Sequence, residues 1–162
     1  MDKKLQQAYN EQIKNELASG YLYLSMAAYF EAQNLPGFAH WMKVQAKEEQ
    51  GHAMKMFDFL NDRGVRVILK EIPQPQVDFS SAREIFEETL KHEKKVTELI
   101  NKLYELSQKV NDHASAVFLQ WFINEQVEEE SNPTKIIMDL EVIGEQGPAL
   151  IMLDRELAKR EG

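Results

Sequence analysis

The stretch FAHWMKVQAKEEQGHAMKMFDF, residues 38–59, decides the fold. Phe38, Met42, Met56 and Phe59 fall on one seam of alternating four- and three-residue steps, the spacing of a helix facing a bundle core. Midway along that seam stand Gln45, Glu49 and His52. A core-facing stripe that turns ionisable at its middle predicts a helix with chemistry at its midpoint.

Three other stretches repeat the pattern. One seam reads Tyr9, Ile13, Glu16, Gly20, Tyr23, Ala27, Phe30. Another reads Phe86, Leu90, Glu93, Thr97, Ile100, Tyr104, and the last Leu119, Phe122, Gln126, Glu129, Pro133, Ile136, Leu140, Ile143. Each is broken near its middle by a carboxylate. Helices of similar length packed side by side bring their midpoints to one height. Glu16, Glu49, His52, Glu93, Gln126 and Glu129 are therefore expected to converge inside the bundle.

Breakers set the boundaries. The first helix is expected from about Lys4 to Gln33, ending at Asn34-Leu35-Pro36-Gly37. The second runs from Phe38 to Arg63, with Gly64 as its C′ residue. Ser81, with Glu84 three residues on, reads as a capping box opening a third helix that ends near Val110. Asp112 caps a fourth helix reaching about Ile143, and Pro148 opens a short last helix ending near Arg160. Pro133 is expected to kink the fourth helix, or even to stop and restart it. Short turns make two antiparallel hairpins, and the connection of about fifteen residues between them is long enough to cross the whole bundle. The expected architecture is all-α: one domain over 1–162, with the four-helix bundle at about 4–143 and the short fifth helix at about 148–160.

Composition narrows the classes. The chain has no cysteine, so disulfide frameworks, thiolate metal sites and cysteine nucleophiles are excluded. The net charge of −8 argues against nucleic acid as a partner, and no apolar run is long enough for a bilayer. A cytoplasmic location fits both the missing cysteine and the missing signal segment.

Several buried carboxylates without cations repel one another and carry a large desolvation cost. Either they protonate or a cation sits among them, and metal is the simpler answer. Carboxylates with one imidazole suit a fairly hard divalent ion such as Fe(II) or Mn(II). Four carboxylates can balance two divalent charges, with Glu49 able to bridge. A single Glu-x-x-His, here Glu49 to His52, is a weak signal; the four stripes failing at one level carry the reading. Glu48, Glu125 and Glu128 adjoin the seam as either solvated acids or a further ion site. Tyr23, two turns beyond Glu16, is either an electron donor or plain aromatic core, and Trp121 reads as core. His40, His92 and His113 have no partner in the pattern and read as surface or structural. Leu150, Leu153 and Leu157 share a face too apolar for a free tail, and are expected to pack at a symmetry axis.

These residues resemble the non-haem ferritins of bacteria and archaea. The resemblance runs through Tyr21-Leu22-Tyr23-Leu24-Ser25-Met26, Gly37-Phe38-Ala39-His40-Trp41-Met42, Glu48-Glu49 with His52, Lys91-His92-Glu93, Phe118 to Phe122, and Glu125 to Glu130. It implies a ferroxidase centre with Glu16, Glu49 and His52 on one iron, and Glu49, Glu93 and Glu129 on the other, with Gln126 close by. Glu48, Glu125, Glu128 and Glu129 match a third iron site, and Tyr23 matches a tyrosine near the centre. The resemblance also implies a homo-oligomeric cage of 24 subunits, with the last helix lining its four-fold axes. Fe(II) would be oxidised by dioxygen or peroxide and stored as ferric mineral. Haem is not expected, because Gln50 stands where haem-binding relatives have Met. The alternatives are a di-iron oxidase or peroxidase that stores no iron, and a helical structural protein with fortuitous buried acids.

Overall fold

The chain forms α1 (Lys3–Ala32), α2 (Pro36–Asp62), α3 (Ala82–Lys109), α4 (His113–Ile143) and α5 (Pro148–Leu157), in a computed structural model that describes residues 1–162. No helix is long and apolar enough to cross a membrane. The four long helices make an antiparallel bundle of two hairpins, as the short turns after α1 and α3 require.

The hairpin turns follow from local chemistry. Asn34 and Asn111 take left-handed backbone (φ 57° each), which asparagine tolerates better than most residues. At the first turn Leu35 N–H donates to the Phe30 carbonyl at 3.0 Å and Asn34 N–H to Glu31 at 3.1 Å. At the second, Asp112 N–H reaches Ser107 at 2.9 Å and Asn111 N–H reaches Gln108 at 3.0 Å. Both are Schellman closures that satisfy the last carbonyls of a helix. Gly64 (φ 68°) does the same at the end of α2.

Residues 65–80, without helix or strand, cross the length of the bundle beside α1. Ile68 N–H donates to Asn10 Oδ1 at 3.0 Å near one end, and Ser25 Oγ donates to the Gln76 carbonyl at 2.6 Å near the other. The long connection therefore does what its length predicts.

Several expectations need correction. Helix α2 starts two residues before Phe38, because Pro36 occupies a first-turn position where its missing N–H costs nothing. The capping box is half formed. Ser81 Oγ accepts from Glu84 N–H at 3.1 Å, but the Glu84 carboxylate turns to the Ser80 N–H and hydroxyl instead of Ser81 N–H. The core face of α3 lies slightly to one side of the seam read from sequence: Thr89, Val96 and Leu103 are buried, whereas Leu90, Thr97 and Tyr104 are half-buried. Helix α4 runs unbroken through Pro133, so it does not stop and restart. Leu150, Leu153 and Leu157 of α5 pack on the chain's own bundle, against the cluster around Phe38, Trp41 and Ile136. The apolar side chains α5 leaves exposed are Ile151 and Met152.

Candidate metal centre

The hydrophobic core comes in two clusters with a polar belt between them. Tyr23, Met42, Phe86 and Ile136 lie in one cluster, and Ile13, Met56, Ile100 and Phe122 in the other. Between each pair, on its own helix, sits an ionisable residue or amide: Glu16, Glu49 with His52, Glu93, and Gln126 with Glu129. All six are at least 96% buried. Gly20 allows the belt to close, since a Cβ there would stand 3.1 Å from the Ala46 carbonyl of α2.

The belt residues form overlapping groups whose ligand atoms lie within 4.8 Å of one another: Glu16, Glu49 and His52; Glu49, Glu93 and Glu129; and His52, Glu125 and Glu129. Glu49 belongs to the first two. His52 Nδ1 lies 3.6 Å from Glu49 Oε2 and 3.8 Å from Glu16 Oε2. Its Nε2 lies 3.9 Å from Glu125 Oε1 and 4.0 Å from Glu129 Oε1. Second partners fix the carboxylates. Gln12 Nε2 donates to Glu16 Oε1 at 2.7 Å, and Gln45 Nε2 donates to Glu129 Oε2 at 2.5 Å. The Tyr23 hydroxyl donates to Glu93 Oε1, and Gln126 Nε2 to Glu93 Oε2 at 3.2 Å. Glu16 Oε2 is buried with no hydrogen-bond partner. A bare carboxylate oxygen aimed at an imidazole and a second carboxylate fits a cation between them.

Electrostatics show what the belt costs as protein alone. Burial raises the Glu49 carboxyl well above its usual range, and Glu93 and Glu16 add to this. Burial and then Glu129 lift Glu93 to about 8, and burial lifts Glu129 to about 7. Burial alone would lower His52, but the Glu16 and Glu49 carboxylates beside its ring overturn that and carry it up to about 11. Burial, then Glu93, push the Tyr23 phenol well above its normal value, so it stays a donor. Ligands must be deprotonated, so a metal ion entering here displaces protons and removes the like-charge repulsion.

The six convergent residues named from the seams do meet. Of the further acids, Glu125 shares a ligand group with His52 and Glu129, whereas Glu48 and Glu128 belong to none. Glu125 faces His52, Glu48 pairs with Arg160 at 2.5 Å, and Glu128 is exposed at the edge of a hollow it shares with Glu48. Trp121 is not core: it is 40% exposed, with its ring edge-on to His52 at 5.4 Å and Lys55 Nζ 4.5 Å above it. His92 and His40 do have partners, Ser19 Oγ at 2.7 Å and the Arg160 carbonyl at 2.8 Å. Sequence reading missed Gln12, and it put Gln45 on the seam without giving it a partner, although each lies four residues before a belt acid on the same face. It missed Arg160 as well, for which the local pattern holds no signal.

The family model for the ferritin-like domain matches residues 6–143, all of the bundle but the first three residues of α1, and every belt residue. The chain belongs to the ferritin family. This ferritin is 41% identical over 160 residues to a bacterial non-heme ferritin of Staphylococcus epidermidis, covering 99% of this chain and 96% of that one. A bacterial non-heme ferritin of Staphylococcus aureus is 38% identical over the same length. Among solved structures, a novel open pore ferritin from the hyperthermophilic archaeon Archaeoglobus fulgidus matches with a TM-score of 0.97 at 45% identity, covering 99% of this chain and 98% of that one. A humanized archaeal ferritin matches with a TM-score of 0.98 at 45% identity, covering 100% and 99%. Membership of this family supports a role in iron storage, and the belt supplies carboxylate and histidine groups of a kind able to form a metal site.

Proposed function

We propose that the chain is the ferroxidase subunit of an iron-storing cage. Fe(II) enters as substrate. Glu16, Glu49 and His52 hold one ion, and Glu49, Glu93 and Glu129 hold the other, with Glu49 bridging. Glu49 is the residue shared by the two ligand groups that are wholly buried, and this carries the reading. Carboxylate oxygens with one imidazole favour a fairly hard divalent metal and leave coordination positions open. Each Fe(II) gives one electron. Dioxygen takes two electrons and two protons to become peroxide, and peroxide takes two more of each to become two waters.

The chain's own groups have defined tasks. Tyr23 and Gln126 hold Glu93, and Gln45 holds Glu129. Trp121 and Phe122 stand edge-on to His52 and keep bulk water from it. Glu48, Glu125 and Glu128 form an acidic track from the belt to the surface between α2 and α4, suited to a third iron or to product leaving the centre. The cage is read as 24 copies in the cytoplasm, without haem, nucleic acid or membrane as partner.

The test is an aerobic Fe(II) titration of the purified protein with oxygen uptake recorded, followed by sizing and iron counting. A rapid phase ending near two Fe(II) per chain, and large particles carrying far more iron than that, are expected. A rapid phase on a monomer or dimer that retains no iron would favour a non-storing oxidase instead. Glu49→Ala is expected to abolish the rapid phase, and an unchanged initial rate there would remove the reading.

A further inference from the structure

A glutamine amide lying among carboxylates has to turn its NH₂ toward them. Gln45 does so, with Nε2 on Glu129 Oε2 at 2.5 Å and within 3.3 Å of Glu49 Oε1. Its carbonyl oxygen then points away from the belt and needs a donor of its own. Arg160 Nη2 supplies one at 2.9 Å.

Arg160 is held on several sides. Nη2 also donates to Glu48 Oε2 at 2.5 Å, and Nη1 donates to the Trp41 carbonyl at 3.3 Å. The guanidinium lies 4.2 Å over the Trp41 ring, and His40 Nε2 donates to the Arg160 carbonyl at 2.8 Å. The side chain is only 16% exposed. Arginine suits this place because its planar fork serves two acceptors and an aromatic face at once.

We propose that Arg160 is a positioning residue of the metal centre, acting through Gln45 on Glu129 and Glu49. The proposal rests on the dinuclear reading above. With Arg160 in place the Gln45 amide has one orientation. That orientation occupies Glu129 Oε2 and leaves Oε1 turned to the centre, 4.0 Å from His52 Nε2. Without the guanidinium the amide loses the donor that fixes it. Once it turns, its oxygen opposes the Glu129 carboxylate and Glu129 loses its hold. The effect falls mainly on the second ion, which depends on both Glu129 and Glu49. The first shares only Glu49, whose bond from Gln45 is the longer one at 3.3 Å, and keeps Glu16 and His52, to which Gln45 makes no hydrogen bond.

The test is anaerobic Co(II) titration of the full-length, assembled protein, followed by visible absorption. Co(II) reports coordination without oxidation. The wild type is expected to bind two Co(II) per chain. Arg160→Met is expected to weaken the second Co(II) about tenfold, the low end of what removing an outer hydrogen-bond partner of a ligand costs, and to weaken the first by less. Gln45→Leu is expected to produce the same loss, and adding Arg160→Met to it should cost nothing further. Equal second-ion affinity in Arg160→Met and wild type overturns the positioning role while the dinuclear reading stands. Losses that simply add in the double variant overturn it too. A wild type binding fewer than two Co(II) defeats both readings. If Arg160→Met does not fold, Arg160→Lys takes its place. It keeps the charge but cannot fork between Gln45 and Glu48, so the second ion should again weaken, and wild-type affinity there would overturn the proposal.

Discussion

Asp154 on α5 caps the first turn of α2, its Oδ1 accepting from Gly37 N–H at 2.8 Å and from Phe38 N–H at 2.9 Å. Leu35, at the N-cap position of α2, offers no side-chain bond, so the cap comes from a residue 117 positions beyond Gly37. Asp154→Ala removes an N-cap and orphans two buried donors, which should destabilise the chain by about 2 kcal/mol. A Cβ on Gly37 would stand 1.6 Å from the Asp154 carbonyl oxygen, so Gly37→Ala must push α5 off the bundle. Both variants are expected to lower the unfolding midpoint and open the segment after Gly144 to protease. Wild-type protection of α5 in Gly37→Ala would contradict this account of the docking.

Tyr23→Phe keeps the buried ring and deletes only the hydroxyl that holds Glu93. Stability should fall by about 1 kcal/mol, the usual net worth of one hydrogen bond. Binding of the second metal ion should weaken about tenfold, because an outer partner of a proposed ligand is lost. Zn(II) calorimetry on the variant checks this without redox chemistry. Unchanged second-site affinity would reduce Tyr23 to core packing, the other role its sequence position allows.

How much of this was legible in the sequence depends on the range of the interaction. The seam on α2 shows Glu49 and His52 because helical period is a local property. Four such seams broken at one level give the belt before any contact is known. Gly64 is visible for the same reason. Asp154 at Gly37 and Arg160 at Gln45 join residues more than a hundred apart, and no spacing rule connects them. Trp121 was misread because one residue's step from Phe122 turns a side chain about 100° around the helix, from core to rim. The α3 seam erred in the same way, by a rotation smaller than a sequence stripe resolves.

The belt makes stability depend on pH with a definite sign. Glu93 and Glu129 have folded values raised to about 8 and about 7, and His52 is raised to about 11. In each case the folded, metal-free chain holds a proton more tightly than the unfolded one. Stability from these groups is therefore present at low pH and lost as pH rises through the folded values. The metal-free protein should lose melting temperature between pH 6 and pH 9. A Zn(II)-loaded sample should lose less, since the metal has replaced those protons, and loading should release protons into unbuffered solution. Glu93→Gln removes one titrating group and should flatten the metal-free curve. A metal-free melting temperature that rises across this range would refute the assignment.

Pro133 sits inside α4, buried, four residues after Glu129. Proline has no N–H, so the Glu129 carbonyl loses the donor that any other residue at 133 would give it. Pro133→Ala restores that donor. Relieving a mid-helix proline is worth about 3 kcal/mol, and losing roughly two ring methylenes from the core costs about 1.6 kcal/mol. The first effect wins, and the variant should be about 1 kcal/mol more stable. The functional consequence follows from the position. A carbonyl freed on the backbone of Glu129 leaves that residue's turn of helix softer than its neighbours, and Glu129 is a proposed ligand of the second ion alone. Pro133→Ala should tighten the second ion and slow the movement of oxidised iron out of the centre, with the first ion unchanged. Stopped-flow oxidation over successive Fe(II) additions reads this directly: the first addition should match wild type, and later additions should lag. Equal recovery between additions, with equal second-site affinity, would leave Pro133 as a feature of the helix with no part in turnover.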